Sequence, residues 1–274
     1  MVTELALGTL MPMMLEGKVA VITGAGPGLG RTLAVLMARE GADVAVAARS
    51  KDTLESIAEA VRAEGRAALA VPTDVSRPDQ VRRLAAAVIE RFGRVDVLVN
   101  AAFPGTHRKN VLDMDDDYLE LWRSAVEIAT YGTLLACRHL APHMVAAGGG
   151  SIVNLTSMSS RMGYAGRSDY AAGKAGVHLL SHCLADELGP SGVRVNCVAP
   201  GWIASDVLDG WMRTRAEAEG VPYEEILARD TAAMALRRIA SEEDVARAVI
   251  FLASDQAKAT TGATIDVNAG QHFT

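Results

Sequence analysis

Residues 18–40 read KVAVITGAGPGLGRTLAVLMARE, a β-branched run, four glycines within seven residues, and a helix-forming stretch. Lys18 to Thr23 has the short apolar character of a buried parallel strand. Arg31 to Glu40 has helical composition, so the glycines of Gly24-Ala25-Gly26-Pro27-Gly28-Leu29-Gly30 occupy a strand-to-helix turn. Glycine spacing alone says little, but in this context it has a physical use. Without side chains the backbone turns tightly and approaches a pyrophosphate, whose charge meets the open N–H groups and positive dipole end of the helix.

Working outward, the same alternation continues. Strands are predicted at Asp43 to Ala48, Ala67 to Pro72, Val95 to Val99, Ser151 to Leu155, Val193 to Val198 and Ile265 to Val267. Helices are predicted at Leu54 to Glu64, Asp79 to Phe92 and Glu242 to Ala253, with a long one after the acidic run Asp113 to Asp117, whose carboxylates favour a helix start. Strands separated by helices build a parallel sheet covered on both faces, so the fold class expected is a doubly wound α/β Rossmann-type domain with seven strands. Residues 17–274 form this single domain and residues 1–16 an arm, expected to be flexible, although Met11, Met13, Met14 and Leu15 could pack on the body or on a partner subunit. Within the domain, residues 206–235 carry Val207, Leu208, Trp211 and Met212 at helical spacing, and Pro222 opens a second short helix. An insertion of this kind is expected to be a helical lid over the substrate.

Composition narrows the partners. The 274 residues are 50% hydrophobic with a net charge of -6, and the basic residues are dispersed, which argues against nucleic acid. The amino-terminal residues lack a cationic leader pattern and no apolar run is long enough to span a bilayer, so a cytoplasmic protein is expected. Cys137, Cys183 and Cys197 stand singly among apolar neighbours and read as reduced core thiols. His139 and His143, and likewise His178 and His182, are four apart, but neither pair has the form of a zinc motif and Pro142 interrupts the first. Packing is the expected role, and no metal is expected.

A second stretch carries the chemistry. Ser157 to Lys174 reads SMSSRMGYAGRSDYAAGK, and on a helix Tyr170 and Lys174 lie one turn apart on one face. A free Tyr titrates near 10, and bringing it to about 7 requires roughly 4 kcal/mol of preference for the phenolate, a shift of the sign a neighbouring ammonium supplies. Ser157 follows the buried strand, which sets its hydroxyl at a strand's carboxyl end, where open α/β sheets bind ligands.

With Ser157, Tyr-x-x-x-Lys and TGAGPGLG in this order, the chain from about Leu15 to Gly270 resembles the short-chain dehydrogenase/reductase family, in the branch of about 250 residues. The resemblance implies reversible hydride transfer between a nicotinamide cofactor and a ketone or secondary alcohol. Tyr170 is then the proton donor or acceptor, Ser157 the hydrogen-bond donor to the reacting oxygen, and Lys174 the residue that lowers the Tyr170 pKa and holds the nicotinamide ribose. It further implies cofactor contacts at Gly24, Gly28, Leu29, Gly30, Asp74, Val75, Asn100, Ala101, Pro200, Gly201, Ile203 and Ser205, and a homo-oligomer, tetramer or dimer. At the end of the second strand Ala48 stands where an NAD enzyme would place a carboxylate, and Arg49 follows, which favours the 2'-phosphate of NADP; Pro27, where many NADP members have a basic residue, leaves NAD possible.

The chain departs from the family at several points. Phe103 replaces a glycine in Asn100-Ala101-Ala102-Phe103, and Ser205 stands for a Thr. Alignment on Gly132 puts Ala129 where many members have an Asn that holds a water connecting the catalytic Lys to solvent; a bulged helix would instead bring Thr130 to that place. If Ala129 holds it, proton exchange is expected to limit turnover and Ala129→Asn to raise kcat. Trp202, Trp211, Met212 and Tyr223 suit either a lipophilic, ring-containing substrate or the core of the lid. A non-catalytic nucleotide-binding protein or an epimerase or dehydratase of related fold is the alternative; the first would have no need of Ser157, Tyr170 and Lys174, and the second would normally have a longer carboxyl end.

Overall fold

The computed structural model describes residues 13–273 except 104 and 106. Its seven strands are β1 (Val19–Thr23), β2 (Asp43–Ala48), β3 (Ala68–Pro72), β4 (Val97–Asn100), β5 (Gly150–Leu155), β6 (Val193–Pro200) and β7 (Thr264–Val267). They form one parallel sheet in the order β3-β2-β1-β4-β5-β6-β7. Alternate strand residues feed opposite faces. Ala20, Ile22, Val44 and Val46 pack under α1 (Leu29–Arg39), α2 (Lys51–Ala63) and α9 (Glu242–Ala253) through Leu33, Met37, Leu54, Val245 and Val249. Val19, Val21, Leu98 and Ile152 pack under α3 (Pro78–Phe92), α5 (Gly132–Ala146) and α6 (Ser168–Leu188) through Leu84, Val88, Leu140 and Leu184.

The order in which successive strands are added reverses between β1 and β4, the switch point at whose carboxyl ends parallel sheets of this kind have their crevice. Gly24 closes its floor. Its φ is +74°, and a Cβ there would lie 2.3 Å from Ala102 Cα, so both the turn and the close approach of the two segments exclude any side chain.

Local chemistry sets the helix ends. Ser50 accepts from Thr53 N–H and starts α2 at Lys51, three residues before the expected Leu54. Pro78 is the first residue of α3, and Asp115 caps α4 (Asp116–Val126) by accepting from Tyr118 N–H. Helix α5 runs through Pro142, contrary to the expected interruption. Pro142 and Arg138 are both exposed, so the carbonyl that loses its donor turns to water.

The arm expected over residues 1–16 is only partly within view, because residues 1–12, Met11 among them, lie outside the described residues. Met14 and Leu15 are not a free tail. Both backbone N–H groups donate to Glu40, to its carboxylate and its carbonyl respectively, and Leu15 is fully buried against the α1 side of the core. Of the three thiols, Cys137 and Cys197 are buried as expected but Cys183 is exposed on α6; burial pushes Cys137 up to about 12.

A buried polar row crosses the sheet near its carboxyl edge. Thr23 Oγ1 donates to Asn100 Oδ1 (3.1 Å), Asn100 Nδ2 to Asn154 Oδ1 (2.8 Å), Asn154 Nδ2 to Ser181 Oγ (2.8 Å), and Ser181 Oγ to Val177 O (2.7 Å). Each side-chain donor finds an acceptor, which offsets the cost of burying it.

Candidate active site

Every position anticipated for cofactor or substrate lies at the carboxyl edge of the sheet. Gly24, Gly28, Leu29 and Gly30 form the turn from β1 into α1. Gly28 is the N-cap and has no side-chain oxygen, so the Leu29 and Gly30 N–H groups at the start of α1 have no side-chain cap, while Arg31 N–H donates to Gly26 O at 2.9 Å. A Cβ on Gly30 would come within 2.6 Å of Ala25 Cα, so that glycine keeps the turn close to its helix. Arg49, at the end of β2, is exposed. Asp74 does not cap α3, whose N-cap is Arg77; its Oδ1 accepts from Ser76 N–H and hydroxyl, while Val75 packs against Gly132. The Asn100 side chain is consumed by the polar row, and Ala101 N–H donates to Thr23 O.

At the end of β6, Pro200 and Gly201 are braced from beyond β7. Trp202 N–H donates to Gln271 Oε1, and a Cβ on Gly201 would lie 2.7 Å from that of Asn268. Ile203 bridges to Ala240, and Ser205 caps the lid helix α7 (Asp206–Glu219) by accepting from Leu208 N–H at 3.3 Å. Helix α8 (Tyr223–Ala232) follows with Pro222 as its N-cap. The pair has a small core of Met212, Ala216 and Ile226, on which Trp202, Trp211 and Tyr223 pack.

Ser157, Tyr170 and Lys174 converge. Ser157 is buried at the end of β5, and its oxygen accepts from Ser159 N–H at 3.1 Å, which leaves its own proton for its hydrogen-bonding neighbour Tyr170. The Tyr170 phenol is pushed above its ordinary value by burial; its hydrogen-bonding neighbour Ser157 and the charge of Arg167 oppose that shift. Lys174 Nζ is buried and donates to Leu155 O at 2.6 Å, and burial draws its pKa down to about 8. In this structure the cation against the Tyr170 ring is Arg167, 4.7 Å from the ring centroid, whereas Lys174 Nζ is 6.0 Å away. The expected depression of the phenol by Lys174 is not seen here: the pKa stays above its ordinary value, and the nearby charge that acts against the rise is that of Arg167. Arg167 carries no motif; its signal is a basic residue three before a Tyr at a helix start.

At the position of the family's Asn the helix is bulged. Residues Glu127–Tyr131 wind as a π-turn between α4 and α5; Ala129 is buried against α6, and Thr130 Oγ1 donates to Gly173 O at 3.0 Å. The hydroxyl reaching α6 is therefore that of Thr130. Elsewhere, His178 and His182 meet edge to face at 4.9 Å, and among the described residues no three His, Cys, Asp or Glu side chains are grouped to hold a metal.

A family model described as enoyl-(acyl carrier protein) reductase matches residues 24–272. The 3-oxoacyl-[acyl-carrier-protein] reductase FabG of Staphylococcus epidermidis is 37% identical over 257 residues, 93% of this chain and 99% of that protein. The chain belongs to the short-chain dehydrogenase/reductase family. Two solved structures of this family's fold superpose with a TM-score of 0.87. Carveol dehydrogenase from Mycobacterium avium, in complex with NAD, is 29% identical and aligns over 94% of this chain and 98% of that one. L-Sorbose reductase from Gluconobacter frateurii, complexed with NADPH and L-sorbose, is 31% identical and aligns over 96% and 100%. This short-chain dehydrogenase/reductase is accordingly an NAD(P)-dependent oxidoreductase. None of its described helices is long and apolar enough to cross a membrane.

Proposed function

We propose that the chain interconverts a ketone and a secondary alcohol at Ser157, Tyr170 and Lys174, with an apolar or ring-bearing substrate body under a lid of residues 206–235. The observation that carries this reading is the convergence of a half-buried phenol, a hydroxyl that hydrogen-bonds it and a buried ammonium at one strand end. The residues present suit a nicotinamide dinucleotide. The uncapped start of α1 fits a pyrophosphate, and Lys174, with one carbonyl partner, retains donors for ribose hydroxyls. When bound, the cofactor supplies or accepts the hydride. Tyr170 gives its proton to the reacting oxygen as negative charge develops, Ser157 donates a second hydrogen bond to it, and Phe103, half exposed and edge-on to the Tyr170 ring at 5.6 Å, offers an apolar wall.

Tyr170→Phe is expected to abolish turnover while cofactor binding persists, and Ser157→Ala to lower kcat by about 10² or more. Steady-state assays on a panel of ketones and alcohols, with cofactor titrations, check both; a Tyr170→Phe enzyme with undiminished turnover would overturn the assignment.

The preferred cofactor is NADP. Arg49 is exposed beside the end of β2 with no carboxylate following Ala48, so it is free to meet a 2'-phosphate. NADPH should bind more tightly than NADH, and Arg49→Ala should erase most of the difference; tighter NADH binding by the unmodified protein would refute it.

A further inference from the structure

Arg167 is the N-cap residue of α6, three positions before Tyr170, and its guanidinium stacks on the Tyr170 ring at 4.7 Å. Its Nε is buried and, among the described residues, has no hydrogen-bond partner and no carboxylate lies within 4.0 Å of its nitrogens. The nearest acid in sequence, Asp169, does not neutralise it. Asp169 is 2% exposed and turned toward His107, whose Nδ1 is 3.8 Å from Asp169 Oδ2. An unpaired cation therefore stands against the phenol that handles the proton, in a chain whose net charge is -6.

Lys109 N–H donates to Gly166 O at 3.1 Å, which pins the residues before Arg167 to the loop after β4, and Arg108 of that loop stacks on Trp211 of α7 at 5.3 Å. A guanidinium held over a ring is preorganised. Its fork matches a carboxylate in two parallel hydrogen bonds, and its stacking leaves little side-chain freedom to lose on binding.

We propose that Arg167 selects substrates that carry a carboxylate a few bonds from the reacting carbonyl, by receiving that carboxylate on its unpaired fork. The proposal rests on the oxidoreductase reading of Tyr170 and assigns the substrate class of that site as oxo acids and their hydroxy-acid counterparts. A group that served only to stabilise the phenolate would act on every substrate alike, whereas an anion receptor discriminates between an acid and its ester.

The test uses phenylpyruvate and benzoylpropanoate, each against its methyl ester, with the intact protein and cofactor in excess. The acids are expected to be preferred in kcat/KM, and Arg167→Gln to lower the acid-to-ester ratio about 100-fold, mainly through the KM of the acid. Arg167→Lys, which keeps the charge and loses the fork, should restore part of the ratio. Equal use of acids and esters by the unmodified enzyme, or an equal loss for both in Arg167→Gln, overturns the proposal. Calorimetric titration of phenylacetate and phenylacetamide into the cofactor-bound enzyme separates the two readings. Binding of phenylacetate alone, lost in Arg167→Gln, supports the anion site even if no carbonyl of the panel is reduced, an outcome that would count against the oxidoreductase reading only. Binding of the amide as tightly as the acid counts against the anion site whatever the turnover.

Discussion

Lys174 shows what a working residue costs the fold. Its ammonium is buried with Leu155 O as its one hydrogen-bond acceptor, and its pKa of about 8 lies below the usual 10.5 because burial disfavours the charge. Below about pH 8 folded and unfolded chains both hold the proton, and the folded state bears the whole penalty. From about 8 to 10.5 the unfolded chain holds more protons, so this residue's contribution to stability rises with pH. Lys174→Met is therefore expected to raise the urea midpoint of the cofactor-free protein at pH 7, with the gain shrinking as pH climbs past 8, while cofactor affinity falls. Urea melts at several pH values check this, and a variant no more stable at pH 7 would refute it. The Tyr170–Lys174 pair was legible from its spacing taken together with Ser157 and the glycine turn, because a Tyr and a Lys one helical turn apart are common on any exposed helix. Arg167 was not, because its position over the Tyr170 ring depends on where α6 begins, and one-dimensional spacing does not report that.

Among the elements, the junction of α4 and α5 with α6 is the most tightly fitted. Gly173 and Gly176 on α6 admit the π-turn; a Cβ on Gly176 would lie 2.5 Å from Thr130 Oγ1, and one on Gly173 would lie 3.0 Å from Ala129 Cβ. Thr130 is β-branched and has little freedom to swing aside. Gly176→Ala is thus expected to displace the Thr130 hydroxyl from Gly173 O and to destabilise the protein by about 1–3 kcal/mol, despite the better helix propensity of Ala. Thermal and denaturant unfolding measure it, and a neutral or stabilising result would show that the helices part without cost. Most element boundaries could be read within three residues, because apolar period and capping residues mark them, as Glu242 to Ala253 illustrates. The π-turn and the passage of α5 through Pro142 could not. Both arise where packing against a neighbour or exposure to water outweighs the local hydrogen-bond pattern.

For the molecule as a whole, the outer faces of α5 and α6 present exposed apolar side chains, Leu134 at 40% and Leu179 at 65%, which we take as the place where copies of the chain associate. Leu179→Glu is expected to shift the protein to a smaller species in size-exclusion chromatography with light scattering; an unmodified protein that runs as a monomer would remove this reading. The doubly wound class could be read from the alternation of strands and helices. The strand order could not, since nothing in one dimension says that β4 returns to pair with β1. That pairing is the one most exposed to error during folding. Strands rich in Val and Ala can slide by two residues and still present apolar groups to both faces, so hydrophobic burial alone would accept the wrong alignment. Thr23, Asn100 and Asn154 stand opposite one another in register, and such a slip would strand their buried donors and acceptors at about 1–3 kcal/mol apiece. The polar row thus acts as a ruler for the central strands, penalising any misalignment that would set the glycine turn and Ser157 at different levels of the edge.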